Sequence, residues 1–177
     1  MRRFLVPIAA VIVLAGTALY VVHNEPPWYL RARYPLDYGA IVQAHARNYR
    51  LDPALLAAVI YTESKFDANA RSPAGAVGLM QLLPETARGI AERTGGAGFV
   101  SSDLINPEIN IRYGCWYLRH LLDKYGDERT ALAAYHAGQA NVDRWRSHGL
   151  GIQFAQTRYY VKKVERLKRI YRRAYGL

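Results

Sequence analysis

Residues Leu51 to Ser64 read LDPALLAAVIYTES, and KFDANA follows from Lys65 to Ala70. Asp52 before Pro53 is a strong helix start. Aspartate caps the free N–H groups of a first turn, and proline is favoured at the first helical position. The run then stays apolar until it meets a carboxylate, Glu63. Leu56, Val59 or Ile60, and Glu63 share one face by three- and four-residue spacing, which makes Glu63 the last member of an apolar stripe. A carboxyl there is desolvated or set at the lip of a cleft, and desolvation raises its pKa. A raised-pKa glutamic acid is what a general acid for glycosidic cleavage requires. From this stretch alone, a helix-end Glu that reaches water, or that pairs with Lys65 or Arg71, is the more ordinary reading.

Working outward, the pattern is helical nearly throughout. Helices are expected over residues 37–49, from Asp52-Pro53 to Ser64, and from Pro84 to about Arg93. A fourth starts at Asn106-Pro107, carries Ile111, Cys115, Leu118 and Leu122 on one stripe, and ends at Tyr125-Gly126. Further helices are expected over 127–137, 141–147 and 157–175. No segment alternates in the way a strand does. The expected fold class is all-α, a compact helical domain of seven or so helices over residues 37–177.

The N-terminus differs. Residues 4–22 carry no charge over 19 residues behind Arg2 and Arg3. That length is close to the ~20 residues needed to span a bilayer, and it exceeds an ordinary signal-peptide core. Residues 1–22 are therefore expected as a single membrane anchor, with an uncleaved signal as the related alternative. Residues 23–36, with Pro26, Pro27 and Pro35, are expected as a stiff linker.

Composition bounds the partners. The net charge is +10 and there are 14 Tyr against 4 Phe. Basic charge favours an anionic partner, and tyrosine suits surfaces that are apolar and wet at once. The single Cys115 excludes an internal disulfide, and no cysteine cluster suggests a metal. Residues 158–173 hold eight Lys or Arg and one acid, behind an apolar stripe of Tyr159 or Tyr160, Val161, Val164, Leu167, Ile170 or Tyr171, and Ala174. This is an amphipathic helix with a charged face, suited to anionic lipid or a wall polymer. No nucleic-acid motif is present.

Four further segments change the weight on Glu63: NARSPAGAVGLMQLLPETA (69–87), NPEINIRYGCWYLRHLL (106–122), ALAAYHAGQANV (131–142) and TRYYVKKV (157–164). In order and spacing this set resembles the lytic transglycosylase domain of the soluble lytic transglycosylase family, a relative of goose-type lysozyme, over residues 38–171. The resemblance implies a lysozyme-like helical fold. It makes Glu63 the catalytic acid/base, with no cofactor and no metal. It puts Ser72 near the carboxylate and Gly78, Leu79, Met80 and Gln81 along the sugar cleft, and has Tyr135 facing the centre. Tyr160 falls on the terminal Tyr-Val segment. Two positions depart from the family pattern: His136 replaces an Asn, and Gln156 stands where a Glu is common. His136 reads as a structural replacement rather than a new base.

The implied reaction is cleavage of the bond between N-acetylmuramic acid and N-acetylglucosamine in peptidoglycan strands, on the extracytoplasmic side of a bacterial membrane, or in secreted form if the leader is removed. Glu63 would protonate the glycosidic oxygen and then accept the proton of the muramoyl 6-hydroxyl, which closes a 1,6-anhydro ring. Asp67, Glu85, Asp103 and Glu108 are the candidates for a second carboxylate, and none is forced into the role by spacing. A water-using muramidase on the same fold, and a wall-binding protein with a degenerate site, are the alternatives.

Overall fold

The computed structural model describes the backbone of residues 2–96 and 98–177, and the side chains from residue 13 onward except residue 97. Its helices are α1 (Arg2–Asn24), α2 (Pro27–Arg33), α3 (Gly39–Asn48), α4 (Pro53–Ser64), α5 (Pro84–Thr94), α6 (Pro107–Tyr125), α7 (Glu128–Ala137), α8 (Gln139–Ser147) and α9 (Ala155–Tyr175), with a 3-10 turn at Ser101–Ile105 before α6. Among the described residues the only extended pairing is two isolated bridges, Arg71 with Val77 and Val77 with Leu82.

The expected start of α4 is present. Asp52 Oδ1 accepts from the backbone N–H of Ala54 at 2.9 Å, and Asn106 does the same for α6 through Glu108 at 2.9 Å. Asp52 also meets α9, through Lys168 at 3.2 Å and through Arg172. Lys168 reaches Glu128 on α7 at 2.6 Å. One cluster thus ties the starts of α4 and α7 to α9.

The single apolar stripe expected on α4 is not what forms. Every residue from Ala54 to Ile60 is buried, because α4 runs through the centre of the larger core cluster. α9 and α3 pack against it. Glu63 lies where this central helix leaves the core. Lys65 and Phe66 just beyond take left-handed φ values of 53° and 67°, a conformation that side chains adopt at a cost of order 1–3 kcal/mol. Ser64 Oγ holds the turn. It accepts from Phe66 N–H at 3.1 Å and donates to the Leu79 carbonyl at 2.8 Å.

On α9 the buried face is Thr157, Tyr160, Val161, Val164, Leu167, Tyr171 and Ala174, so Tyr160 and Tyr171 face inward while Tyr159 points to solvent. Residues 23–36, expected as a linker, contain α2. Its Leu30 is fully buried, Tyr34 joins the same core, and α2 packs on α9. The anchor expectation falls partly on residues 1–12, outside the described side chains. Among the described residues no helix is long and apolar enough to cross a membrane.

Candidate active site

Glu63 sits at the exit of α4 with α7 and α9 around it. Tyr160 on α9 donates its hydroxyl to Glu63 Oε1 at 2.6 Å. Tyr135 on α7 is spent elsewhere, donating to the Met80 carbonyl at 2.8 Å. The Glu63 carboxyl keeps a partial opening to the cleft but is mostly surrounded by protein. Burial pushes its pKa from 4.5 to about 7, against the opposing pulls of the Tyr160 hydrogen bond and the Lys163 charge. Near neutral pH a large fraction therefore carries a proton that it can give up, the poise suited to one group acting first as acid and then as base. Burial, with Glu63 nearby, raises Tyr160 and Tyr135 well above the ordinary tyrosine value, which keeps both as donors.

Removing the Tyr160 hydroxyl has a signed consequence. Its hydrogen bond favours the charged form of Glu63, so Tyr160→Phe should move the alkaline limb of kcat/KM to higher pH. A pH profile of wild type against variant checks this.

Two cavities meet at Glu63. One, about 510 Å³, is lined by Ser72, Gln81, Tyr117 and Tyr135. The other, about 550 Å³, is lined by Thr62, Gln156, Tyr159, Tyr160 and Lys163. His136 borders both. Each is large enough for a sugar residue or two, within the ~300–1,000 Å³ range of small-ligand sites. His136 lays its ring on Tyr160 at 4.5 Å between centroids and meets Thr157 Oγ1 through Nδ1 at 3.1 Å. Burial lowers its pKa, which favours a neutral imidazole. Its contacts are those of a packing partner for Tyr160.

The sequence-derived residues therefore divide. Ser72, Gln81, Tyr135, His136, Gln156 and Tyr160 gather around Glu63. Gly78, Leu79 and Met80 do not line either cavity. Leu79 and Met80 are fully buried, and Gly78, at φ 81°, lies so close to Asn110 and the Leu104 carbonyl that a Cβ has no room. Their role is that of a backbone frame: the Leu79 and Met80 carbonyls accept from Ser64 and Tyr135. None of the four alternative carboxylates shares a cavity with Glu63. Asp67 binds the Asn69 N–H at 2.8 Å and Asp103 the Val100 N–H at 3.0 Å. Glu108 pairs with His45 at 2.7 Å, and Glu85 borders a groove beyond Tyr117.

Sequence reasoning passed over Tyr117, Lys163 and Asn110. Asn110 is fully buried. It accepts from the Met80 N–H at 2.8 Å and donates to the Val77 and Leu104 carbonyls at 3.0 and 2.8 Å. It continues no apolar stripe, and a buried polar position within NPEIN was the available signal.

Among the described residues, an all-α fold with a largely enclosed acid between two cavities is lysozyme-like. Residues 40–150 match the family model described as the transglycosylase SLT domain, and the chain belongs to that family. It is 32% identical to the soluble lytic murein transglycosylase of Escherichia coli K12 over 148 residues, 77% of this chain and 23% of that protein. It is 41% identical to the transglycosylase of Enterobacteria phage PRD1 over 108 residues, 60% of this chain and 37% of that one. Among solved structures it is similar to the 70 kDa soluble lytic transglycosylase of Escherichia coli, with TM-score 0.75 and 30% identity over 81% of this chain and 25% of that one. An inactive mutant of the lytic transglycosylase Slt from Pseudomonas aeruginosa matches with TM-score 0.74 and 30% identity over 94% of this chain and 29% of that one. The chain thus spans about a quarter of the length of the cellular relatives it matches.

Proposed function

We propose that this protein is a peptidoglycan lytic transglycosylase in which Glu63 alone serves as acid and base. The observation that carries the reading is the buried carboxyl held by Tyr160 at 2.6 Å, with its pKa near 7 and no second carboxylate in either adjoining cavity. In the acid form Glu63 protonates the oxygen leaving the muramoyl C1. The resulting carboxylate takes the proton of the muramoyl 6-hydroxyl as that oxygen bonds to C1. The nucleophile is already part of the substrate, so no activated water is required. Ser72, Gln81, Gln156 and His136 are the polar groups that orient the sugars, and Tyr135 and Tyr117 supply aromatic surface. Membership of the transglycosylase SLT domain family supports this reading.

Products discriminate the outcomes. Purified strands incubated with the full chain in detergent should yield 1,6-anhydromuramoyl ends, one water lighter than hydrolytic ends, as read by mass spectrometry. Reducing ends would instead indicate a muramidase, and absence of cleavage a binding protein.

The reading includes an extracytoplasmic domain tethered by α1. Val13, Leu14, Leu19, Tyr20 and Val22 on α1 are all exposed, a cost in water that a lipid environment removes. The exposed cations of α9, and Arg31 and Arg33 on α2, supply a basic surface near its end, where Arg173 binds the Asn24 carbonyl. Deleting residues 1–24 should release the protein from the membrane fraction.

A further inference from the structure

The two cavities beside Glu63 differ in charge. The Ser72 and Gln81 side contains no cation. The other contains Lys163, a half-buried lysine of α9 that makes no ion pair or hydrogen bond among the described residues. The contrast within α9 is direct. Half-buried Lys168 lies between Asp52 and Glu128, Arg158 donates to the Ile152 and Gln153 carbonyls, and Arg166 reaches Tyr34. The Lys163 ammonium therefore has donors open to an anion in the cavity, and a carboxylate hydrogen-bonded there makes a charge-assisted contact. Thr62, in the same cavity, has a hydroxyl without a partner, and the exposed ring of Tyr159 stands at its edge.

Glu63 lies between the cavities, so on the transglycosylase reading the two sugars of the scissile bond fall on opposite sides of it. Those sugars are chemically unequal. The muramoyl residue bears a lactyl ether that ends in a carboxylate when free and in an amide when a stem peptide is attached. N-acetylglucosamine bears no acid. We infer that the Lys163 cavity is the muramoyl side of the cleft and that Lys163 binds a carboxylate of that residue, either its own lactyl group or the stem. The inference rests on the transglycosylase reading and adds a polarity to it: the strand runs with its muramoyl residue toward Tyr159 and Gln156.

Binding there also acts on the acid. Glu63 is faced by Tyr160 and Lys163 from α9 and by Tyr135 and His136 from α7, and Lys163 is the cation among them. A carboxylate beside Lys163 offsets its pull on Glu63 and keeps the acid protonated to higher pH in the complex.

The test uses glycan strands stripped of stems, the same strands with lactyl carboxylates converted to methylamides, and strands with intact stems. For wild type at pH 6, methylamidation should lower kcat/KM about tenfold, the loss of one charge-assisted contact. Lys163→Met should bring the ratio to about one, and Lys163→Arg should restore it. Intact-stem strands cleaved as poorly as the methylamide assign the contact to the lactyl group. If they are cleaved as well as stripped strands and are slowed by amidating the stem, the contact belongs to the stem. Equal cleavage of charged and amidated strands by wild type, for the lactyl pair and the stem pair alike, overturns the inference, as does a ratio that survives Lys163→Met. Binding of the same strands to Glu63→Gln should show the same tenfold preference without turnover. That measurement separates failure of this inference from failure of the transglycosylase reading.

Discussion

Glu63→Gln should abolish strand cleavage and yet make the protein more stable at alkaline pH. On the proposed mechanism, the loss of activity follows from removing the group that gives and takes the proton, a contribution of about 10²–10⁴-fold or more for a positioned acid. The stability gain follows from linkage. The folded-state pKa, about 7, lies above the reference value of 4.5. The native state therefore holds a proton that the unfolded chain releases between these values. Folding stability from this group falls as pH rises through that window, and the penalty is complete above it. Its full size is up to about 3 kcal/mol. Gln is neutral at every pH and keeps an oxygen to accept from Tyr160, so it escapes the penalty. Thermal unfolding should show the variant level with wild type at pH 4 and higher at pH 8, by ~2–4 °C per kcal/mol for a chain of this size. Equal Tm values at pH 8 would remove the claim that burial strains this carboxyl.

The second large effect lies away from the carboxyl. Asn110→Leu should destabilise the fold by roughly 2–6 kcal/mol. It leaves the Met80 N–H and the Leu104 carbonyl without their partner in a buried setting, at about 1–3 kcal/mol each, while the Val77 carbonyl keeps the Leu82 N–H at 3.1 Å. Leucine is similar in volume, so packing loss is a small part of the cost. The damage should be local first. The backbone frame around residues 77–82 positions Gln81 and offers Tyr135 its acceptor on Met80. Hydrogen exchange should show the Met80 amide losing protection before the α4 amides do, with activity falling alongside. An exchange pattern unchanged at Met80 would deny Asn110 this role.

The legible parts of the molecule were local ones. Asp52-Pro53 and Asn106-Pro107 marked the starts of α4 and α6 because capping is decided within three residues. The amphipathic character of α9 was visible in its spacing, though only packing chose Tyr160 over Tyr159. The desolvated setting expected for Glu63 is present, but no apolar stripe produces it: Ala54 to Ile60 are buried on all sides, and a segment without a polar face has no stripe to continue. Tertiary burial raises the Glu63 pKa, groups 97 and 100 positions away, Tyr160 and Lys163, pull it partly back, and no periodicity encodes either. Likewise GLMQ resembles a cleft lining, but of its four residues only Gln81 lines a cavity, with its amide nitrogen donating to the Ala70 and Gly78 carbonyls. Leu79 and Met80 serve the core, and Gly78 is required by Asn110. Residues 23–36 were read as linker from their prolines, while Leu30 finds its burial only against α9.

The central claim is that burial alone keeps one acid poised at neutral pH. Carbon-13 NMR of the Glu63 side-chain carboxyl, titrated in the full chain in detergent and assigned with Glu63→Gln, addresses it most directly. The account predicts a midpoint near 7, rising in Tyr160→Phe. A midpoint at the ordinary glutamate value of 4.5, unchanged in Tyr160→Phe, would contradict it.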